Sequence, residues 1–187
     1  MIISISGLPG SGTSTVAKQV SKILCIEMIS AGDIFRKEAE KSGLSLEEFG
    51  KLADSDFSID SDLDKEMIRL AKENENLILE GRLAGYVANH PQVRDKGILR
   101  VCLKAPFEMR CSRIAKREGI SQELAEDLTM VREGRESRRH WKNYGVDVKT
   151  VTYDVVFNSA NLDPFQISAA IYDLAILKFK KGVVHNG

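Results

Sequence analysis

Eight residues near the N-terminus, Gly7-Leu8-Pro9-Gly10-Ser11-Gly12-Thr13-Ser14, constrain this chain more than any other stretch. Glycines at positions 7, 10 and 12 free the backbone to take positive φ and to approach a ligand closely. The run follows a short apolar segment, residues 2–5, that reads as a buried strand. It opens a segment, residues 15–24, in which Val16, Val20, Ile23 and Leu24 recur at helical spacing. A glycine-rich turn between strand and helix aims successive backbone N–H groups inward at a helix N-terminus, which is a seat for phosphate. Gly7 through Ser14, with Thr15, are therefore the expected contacts of a nucleoside triphosphate. Ser14 is placed to ligate Mg²⁺ beside it. Such loops usually carry a lysine that neutralises the β- and γ-phosphates, and here Thr13 stands in its place. Lys18 lies about a turn further on and is expected to face solvent.

Along the rest of the chain, residues 27–29, 77–79, 98–103 and 155–157 read as further short strands. Residues 32–41, 46–53, 62–72, 106–117, 121–140 and a final stretch from Pro164 read as helices. Ser121 suits a helix N-cap, and Pro106 a first helical turn. The last helix carries Ile167, Ile171, Leu174 and Leu177 as its apolar stripe. Five short apolar strands separated by helices predict a five-stranded parallel sheet with helices on both faces. Ligands in such folds bind past the carboxyl ends of the strands, where the glycine-rich loop lies. The expected organisation is a single α/β domain with core segments 1–30, 76–131 and 150–187. Two helical insertions interrupt it, one at about 31–75 and a second, lid-like, at about 132–147.

Composition narrows the class. The 187 residues carry 27 basic and 27 acidic side chains, so no overall charge draws the chain to nucleic acid or to a membrane surface. The three cysteines, Cys25, Cys102 and Cys111, are scattered without a CxxC pair and read as reduced core thiols. With no apolar run of membrane-spanning length and no signal-peptide pattern, the expected place is the cytoplasm. His90, His140 and His185 lack the spacing of metal ligands.

Three further constellations carry chemistry. Ser30-Ala31-Gly32-Asp33-Ile34-Phe35-Arg36 follows the second strand. It resembles the S-x-G-D-x-x-R stretch of nucleoside monophosphate kinases. The resemblance implies that Ser30 and Arg36 hold the acceptor nucleotide's phosphate and that Asp33 orients Mg²⁺ through water. A planar guanidinium suits bidentate phosphate binding. Next, Leu77-Ile78-Leu79-Glu80-Gly81-Arg82 ends a buried strand on an acid, a Walker-B-like position from which Glu80 could hold a Mg²⁺-bound water. It is similar to the D-G-R segment of cytidylate kinases, which implies that Arg82 reaches the acceptor phosphate. The D-G-F-P-R of adenylate kinases is not matched. Glu80 replaces the usual aspartate, and Leu83 replaces an aspartate common after the arginine in bacterial cytidylate kinases.

Finally, Arg132-Glu133-x-x-Glu136-x-x-Arg139 is similar to the R-D-x-x-D-x-x-R lid of the same family. Helical spacing puts Arg132, Arg135, Glu136 and Arg139 on one face. The resemblance implies that Arg132 and Arg139 close over the transferring phosphoryl. A solvated salt-bridged helix is the plainer reading of the same run. Arg113 and Arg117, four apart after the fourth strand, are expected at the donor nucleotide. Asp60 and Asp64 on the first insertion are candidates to receive the cytosine amino group. Trp141 reads as a packing anchor.

The combination is most similar to archaeal-type cytidylate kinases, which also tolerate threonine for the loop lysine. The implied fold is the three-layer phosphate-loop NTPase fold with monophosphate-binding and lid insertions. The implied reaction is transfer of the γ-phosphoryl of ATP to CMP or dCMP, with Mg²⁺, giving CDP or dCDP, by a monomer without a nucleic-acid or membrane partner. The alternatives are a kinase for UMP or AMP, or a nucleotide-binding regulatory module that lacks transfer.

Overall fold

The computed structural model describes residues 1–145 and 150–180; positions 146 and 147 of the expected lid and the stretch 181–187 lie outside the described residues. Five strands, β1 (Ile2–Gly7), β2 (Met28–Ser30), β3 (Leu77–Glu80), β4 (Leu99–Lys104) and β5 (Val155–Asn158), form one sheet in the order β2-β3-β1-β4-β5. Every pairing is parallel. The phosphate loop leads from β1, the central strand, into α1 (Thr13–Leu24). Helices α2 (Ala31–Lys41), α3 (Leu46–Ser55) and α4 (Phe57–Glu73) lie between β2 and β3. A short α5 (Ala84–Asn89) follows β3, then α6 (Phe107–Glu118) and α7 (Gln122–Tyr144) follow β4, and α8 (Pro164–Lys180) follows β5.

Alternation along the strands builds a core on each face of the sheet. Ile3, Ile5 and Ile78 pack with Val16, Val20, Ile167 and Ile171 of α1 and α8. Ile2, Leu77 and Leu79 face the other way, onto Met67 and Ala71 of α4 and Val87 of α5. Full burial of one such aliphatic side chain stabilises by roughly 1.5–3 kcal/mol, so these two layers fix the sheet on which the site is built. The register then sets Glu80, at the end of β3, opposite both Ser30 and Ile5.

Helix ends follow local rules. Ser121 Oγ accepts from Leu124 N and caps α7 as expected, while Ser45 and Glu48 form a full capping box on α3. Pro106 is the residue before α6, and α7 runs on past His140 to Tyr144, where Gly145 closes it in the left-handed region. Helix α5 is not anticipated from sequence. In α8 the stripe departs from expectation at one position: Ile167, Ile171 and Ala175 are buried, whereas Leu177 is 60% exposed. Helical periodicity carries the stripe from Ile171 to Leu174 and Ala175, and Leu177 falls beyond its edge. Lys18 is exposed, as expected.

Candidate active site

The loop is held from behind. Gly12, at φ 93°, is the N-cap of α1 and offers no side chain to its first amides, which stay open to a ligand. The loop carbonyls are tied outward instead. Arg110 Nη1 donates to Pro9 O at 3.0 Å, Arg113 Nη1 to Gly10 O at 3.1 Å, and Ser159 Oγ to Ser11 O at 2.8 Å. With the carbonyls turned out, the N–H groups face in. Gly10 has φ 80°, and a Cβ there would lie 2.4 Å from the carbonyl oxygen of Arg110, so only glycine lets the loop rest on α6.

One carboxylate joins this loop to the next. Glu80, buried at the end of β3, accepts from Thr13 Oγ1 at 2.7 Å and Ser14 Oγ at 3.1 Å through Oε1, and from Ser30 Oγ at 2.7 Å through Oε2. Thr13, the residue in the lysine's place, is thereby a neutral ligand of Glu80. Ser30 also caps α2, accepting from Asp33 N at 3.3 Å. Asp33 and Arg36 form an ion pair at the exposed head of α2. Hydroxyl and carboxylate oxygens of Ser14, Glu80 and Asp33 are the hard donors that suit Mg²⁺.

Several of the site's arginines are paired with acids. Arg82 makes a buried ion pair with Glu136 of α7, and Arg132 Nε donates to the same carboxylate at 2.7 Å. Burial works against ionisation of Glu136, but Arg82 and Arg132 outweigh it and hold its carboxyl below the usual range. Arg110, a buried cation that sequence reading passed over, pairs with Glu133 one turn earlier. It lies three residues before Arg113 and seven before Arg117, a helical spacing that could have disclosed it.

Arg139 of α7 bonds elsewhere than Arg132 does. It donates to Asp60 Oδ2 and Asp54 Oδ1, each at 3.0 Å, and to Gly50 O at 3.1 Å, so it clasps the α3–α4 flap. Arg135 joins it on Asp54 at 3.6 Å. His140, between these groups, is buried, and that burial drives its imidazole down to about 4. Asp64 is buried one turn beyond Asp60, and desolvation pushes its carboxyl up to about 6. Trp141 is 65% exposed and anchors nothing in the core.

A cleft of about 370 Å³ opens beside the loop. Gly10 to Val16 form its floor, Arg113 and Arg117 its cationic rim, and Leu162, Pro164 and Ile167 its apolar wall. Arg113 is fixed there by Gly10 and Ser159, while Arg117 pairs with its neighbour Glu118 at the surface. This shape suits a nucleotide's base and sugar next to a phosphate seat. Among the described residues no helix is long and apolar enough to cross a membrane, and no cluster of three or more His, Cys, Asp or Glu is arranged to hold a metal.

Comparison with known proteins decides the family. Residues 2–161 match the model of the cytidylate kinase-like family. The chain belongs to the cytidylate kinase-like family. Two relatives in this family, each named cytidylate kinase, come from Methanococcoides burtonii and Sulfurisphaera tokodaii. The first is 43% identical over 169 residues, covering 90% of this chain and 93% of the relative. The second is 44% identical over 172 residues, covering 91% and 93%. An Archaeoglobus fulgidus protein of the same name is 42% identical, covering 87% and 88%.

Solved structures resemble this family member in fold alone. An uncharacterized protein from Eubacterium ventriosum has TM-score 0.66 at 17% identity, covering 93% of this chain and 97% of that one. Shikimate kinase from Bacteroides thetaiotaomicron has TM-score 0.59 at 16% identity, covering 95% and 97%. The expected phosphate-loop kinase fold is the fold found.

Proposed function

We propose that this cytidylate kinase-like protein transfers the γ-phosphoryl of ATP to CMP or dCMP, giving ADP and CDP or dCDP. The observation that carries the reading is the triple clasp of Glu80. One carboxylate binds Thr13 and Ser14 of the donor-phosphate loop and Ser30 of the acceptor-phosphate motif, so two phosphate seats adjoin. That suits an in-line transfer between two nucleotides, which depends on positioning and charge neutralisation more than on covalent chemistry. The family's named relatives point to the same reaction.

In this reading the α- and β-phosphates of ATP rest on the amides of Gly10 to Ser14, and the base enters the cleft rimmed by Arg113 and Arg117. Ser30, Arg36 and Arg82 take the acceptor phosphate, with the α2–α4 segment as the acceptor-binding insertion. Arg82 reaches the phosphate by exchanging Glu136 for it. Arg132 follows on the transferring group, and the C-terminal half of α7 acts as the lid. Arg139 locks that lid to the flap through Asp54 and Asp60. Ser14 and Asp33 are the residues that would hold Mg²⁺, which supplies charge neutralisation when bound. The acceptor oxygen is already anionic, so Glu80 is needed to position hydroxyls and not to remove a proton. Arginines take over the charge that a loop lysine would have carried.

The test is a panel of ATP with CMP, dCMP, UMP and AMP. Preferential turnover of CMP or dCMP is expected. Equal rates on AMP, or none on CMP, would sink the acceptor assignment.

A further inference from the structure

In the proposed reaction Glu136 loses its partners. Arg82 and Arg132 both leave it for phosphate, yet its side chain is only 15% exposed. A buried charge stripped of its counter-ion is costly, so another group must answer it. Arg82 is prepared to go. Its Nη1 holds Glu136 while its Nη2 is buried without a hydrogen-bond partner, so one prong of the guanidinium is open to a phosphate oxygen. The neighbouring arginines are engaged elsewhere. Arg139 is held by Asp60, Asp54 and the Gly50 carbonyl. Arg135 is on Asp54, and Arg110 on Glu133.

His140 remains. It lies four residues after Glu136 on α7, the spacing at which helical side chains meet. It is 6% exposed, and its Nδ1 is buried without a hydrogen-bond partner. An uncharged imidazole has room for one more proton. Burial opposes that proton, as do the charges of Arg82 and Arg139, while Glu136 favours it. Asp60 and Asp54 of the flap stand behind Arg139 and neutralise part of its charge. A phosphate on Arg82 removes one opposing charge and leaves Glu136 unanswered.

Building on the proposed reaction, we propose that His140 takes up a proton from solvent when the acceptor phosphate engages Arg82, and replaces Arg82 as the partner of Glu136. Two ion pairs then stand where one stood: phosphate with Arg82, and imidazolium with Glu136. His140 is a positioning residue in this scheme, because it acts on the carboxylate and touches no nucleotide. Acceptor binding is thereby linked to proton uptake, and this link tightens binding as pH falls.

The experiment follows the His140 ring by NMR pH titration, without and with saturating CMP. The resonance is assigned in the His90→Gln, His185→Gln protein, where it is the last imidazole. The free midpoint is expected near 4. CMP should raise it by roughly one pH unit or more, which corresponds to a tenfold linkage. Calorimetry of CMP binding at about pH 5.5, in buffers of different ionisation enthalpy, should show wild type taking up more protons than His140→Gln, by on the order of half a proton. CMP's own phosphate titrates near 6 in both proteins and cancels from that difference. A midpoint that CMP leaves in place overturns the inference, even if His140→Gln fails to fold. Equal proton uptake in wild type and folded His140→Gln overturns it too. Absence of CMP binding in either measurement overturns the acceptor reading, and the inference with it.

Discussion

Arg82 and Glu136 form a buried ion pair that joins the turn after β3 to α7, with 12% and 15% of their side chains exposed. A carboxylate thus occupies the guanidinium that the proposed reaction assigns to a phosphate. Removing either partner strands the other in a site with little water, which commonly costs about 3–5 kcal/mol. Arg82→Ala should therefore do two things at once. It should lower kcat/KM for CMP by at least about 100-fold, through loss of a charged contact to the phosphate. It should also lower the unfolding free energy, measured by urea titration. Full activity in the variant would remove Arg82 from the site.

Thr13→Lys restores the residue that phosphate loops usually carry, but it places an ammonium against Glu80, to which Thr13 Oγ1 now donates at 2.7 Å. The new cation should pair with that carboxylate and not with a phosphate. No gain in kcat is expected from steady-state assays with saturating ATP and CMP. A large gain would mean that the native loop is short of charge. Glu80→Ala, by contrast, releases Thr13, Ser14 and Ser30 together and should lower kcat by about 10²-fold, as loss of positioning does.

Gly10→Ala tests how the loop rests on α6. At φ 80° a methyl would meet the Arg110 carbonyl at 2.4 Å, a backbone atom that cannot swing aside. Strain of about 1–3 kcal/mol from the left-handed conformation adds to the clash. KM for ATP should rise and the melting temperature fall. An alanine variant with native ATP affinity would contradict the loop geometry.

Acid titration should show two groups working against each other. Asp64 is raised from 3.8 to about 6, so the folded state binds its proton more tightly, and stability from this group falls as pH rises from about 4 to 6. Its carboxyl is pushed up first by burial, with Tyr144 lowering and Asp60 raising it. His140 is lowered from 6.5 to about 4, so the unfolded state binds its proton more tightly, and stability from this group rises over about pH 4 to 6.5. Burial is again the leading cause, opposed by Glu136 and reinforced by Arg82 and Arg139. Each displacement of about two units is worth on the order of 3 kcal/mol, so the two largely offset. Asp64→Asn should expose a rising stability between pH 4 and 6, and His140→Gln a falling one, in denaturant titrations at several pH values. Parallel curves for both variants and wild type would refute this balance.

What the sequence makes legible follows from range. The phosphate loop, the strand ends and the caps are set by neighbours within a few residues, and Gly7 to Ser14, Ser30 to Arg36 and Glu80 to Arg82 could be read directly. Six-residue α5 has no room for a helical stripe, and its Gly85 is there to pass under Tyr153, whose ring a Cβ would meet at 2.4 Å. The pairing of Arg139 with Asp60 links residues 79 apart and has no signal in spacing. Spacing and resemblance put Arg139 at the phosphoryl and say nothing of the bonds it makes here to Asp54 and Asp60. Tyr144 carried no motif at all. Only the meeting of α4, α5 and α7 makes it conspicuous.

Helix α7 runs unbroken from Gln122 to Tyr144, roughly 35 Å at 1.5 Å per residue. Glu133, Glu136, Arg139 and Tyr144 all ride on it, touching in turn the loop-bracing Arg110, Arg82, the flap and Asp64. Four contacts on one stiff rod have few independent settings. A tilt that frees Arg82 also shifts the grip on the flap and the hydroxyl beside Asp64. The helix works as a crankshaft, turning separate molecular handshakes into a single stroke.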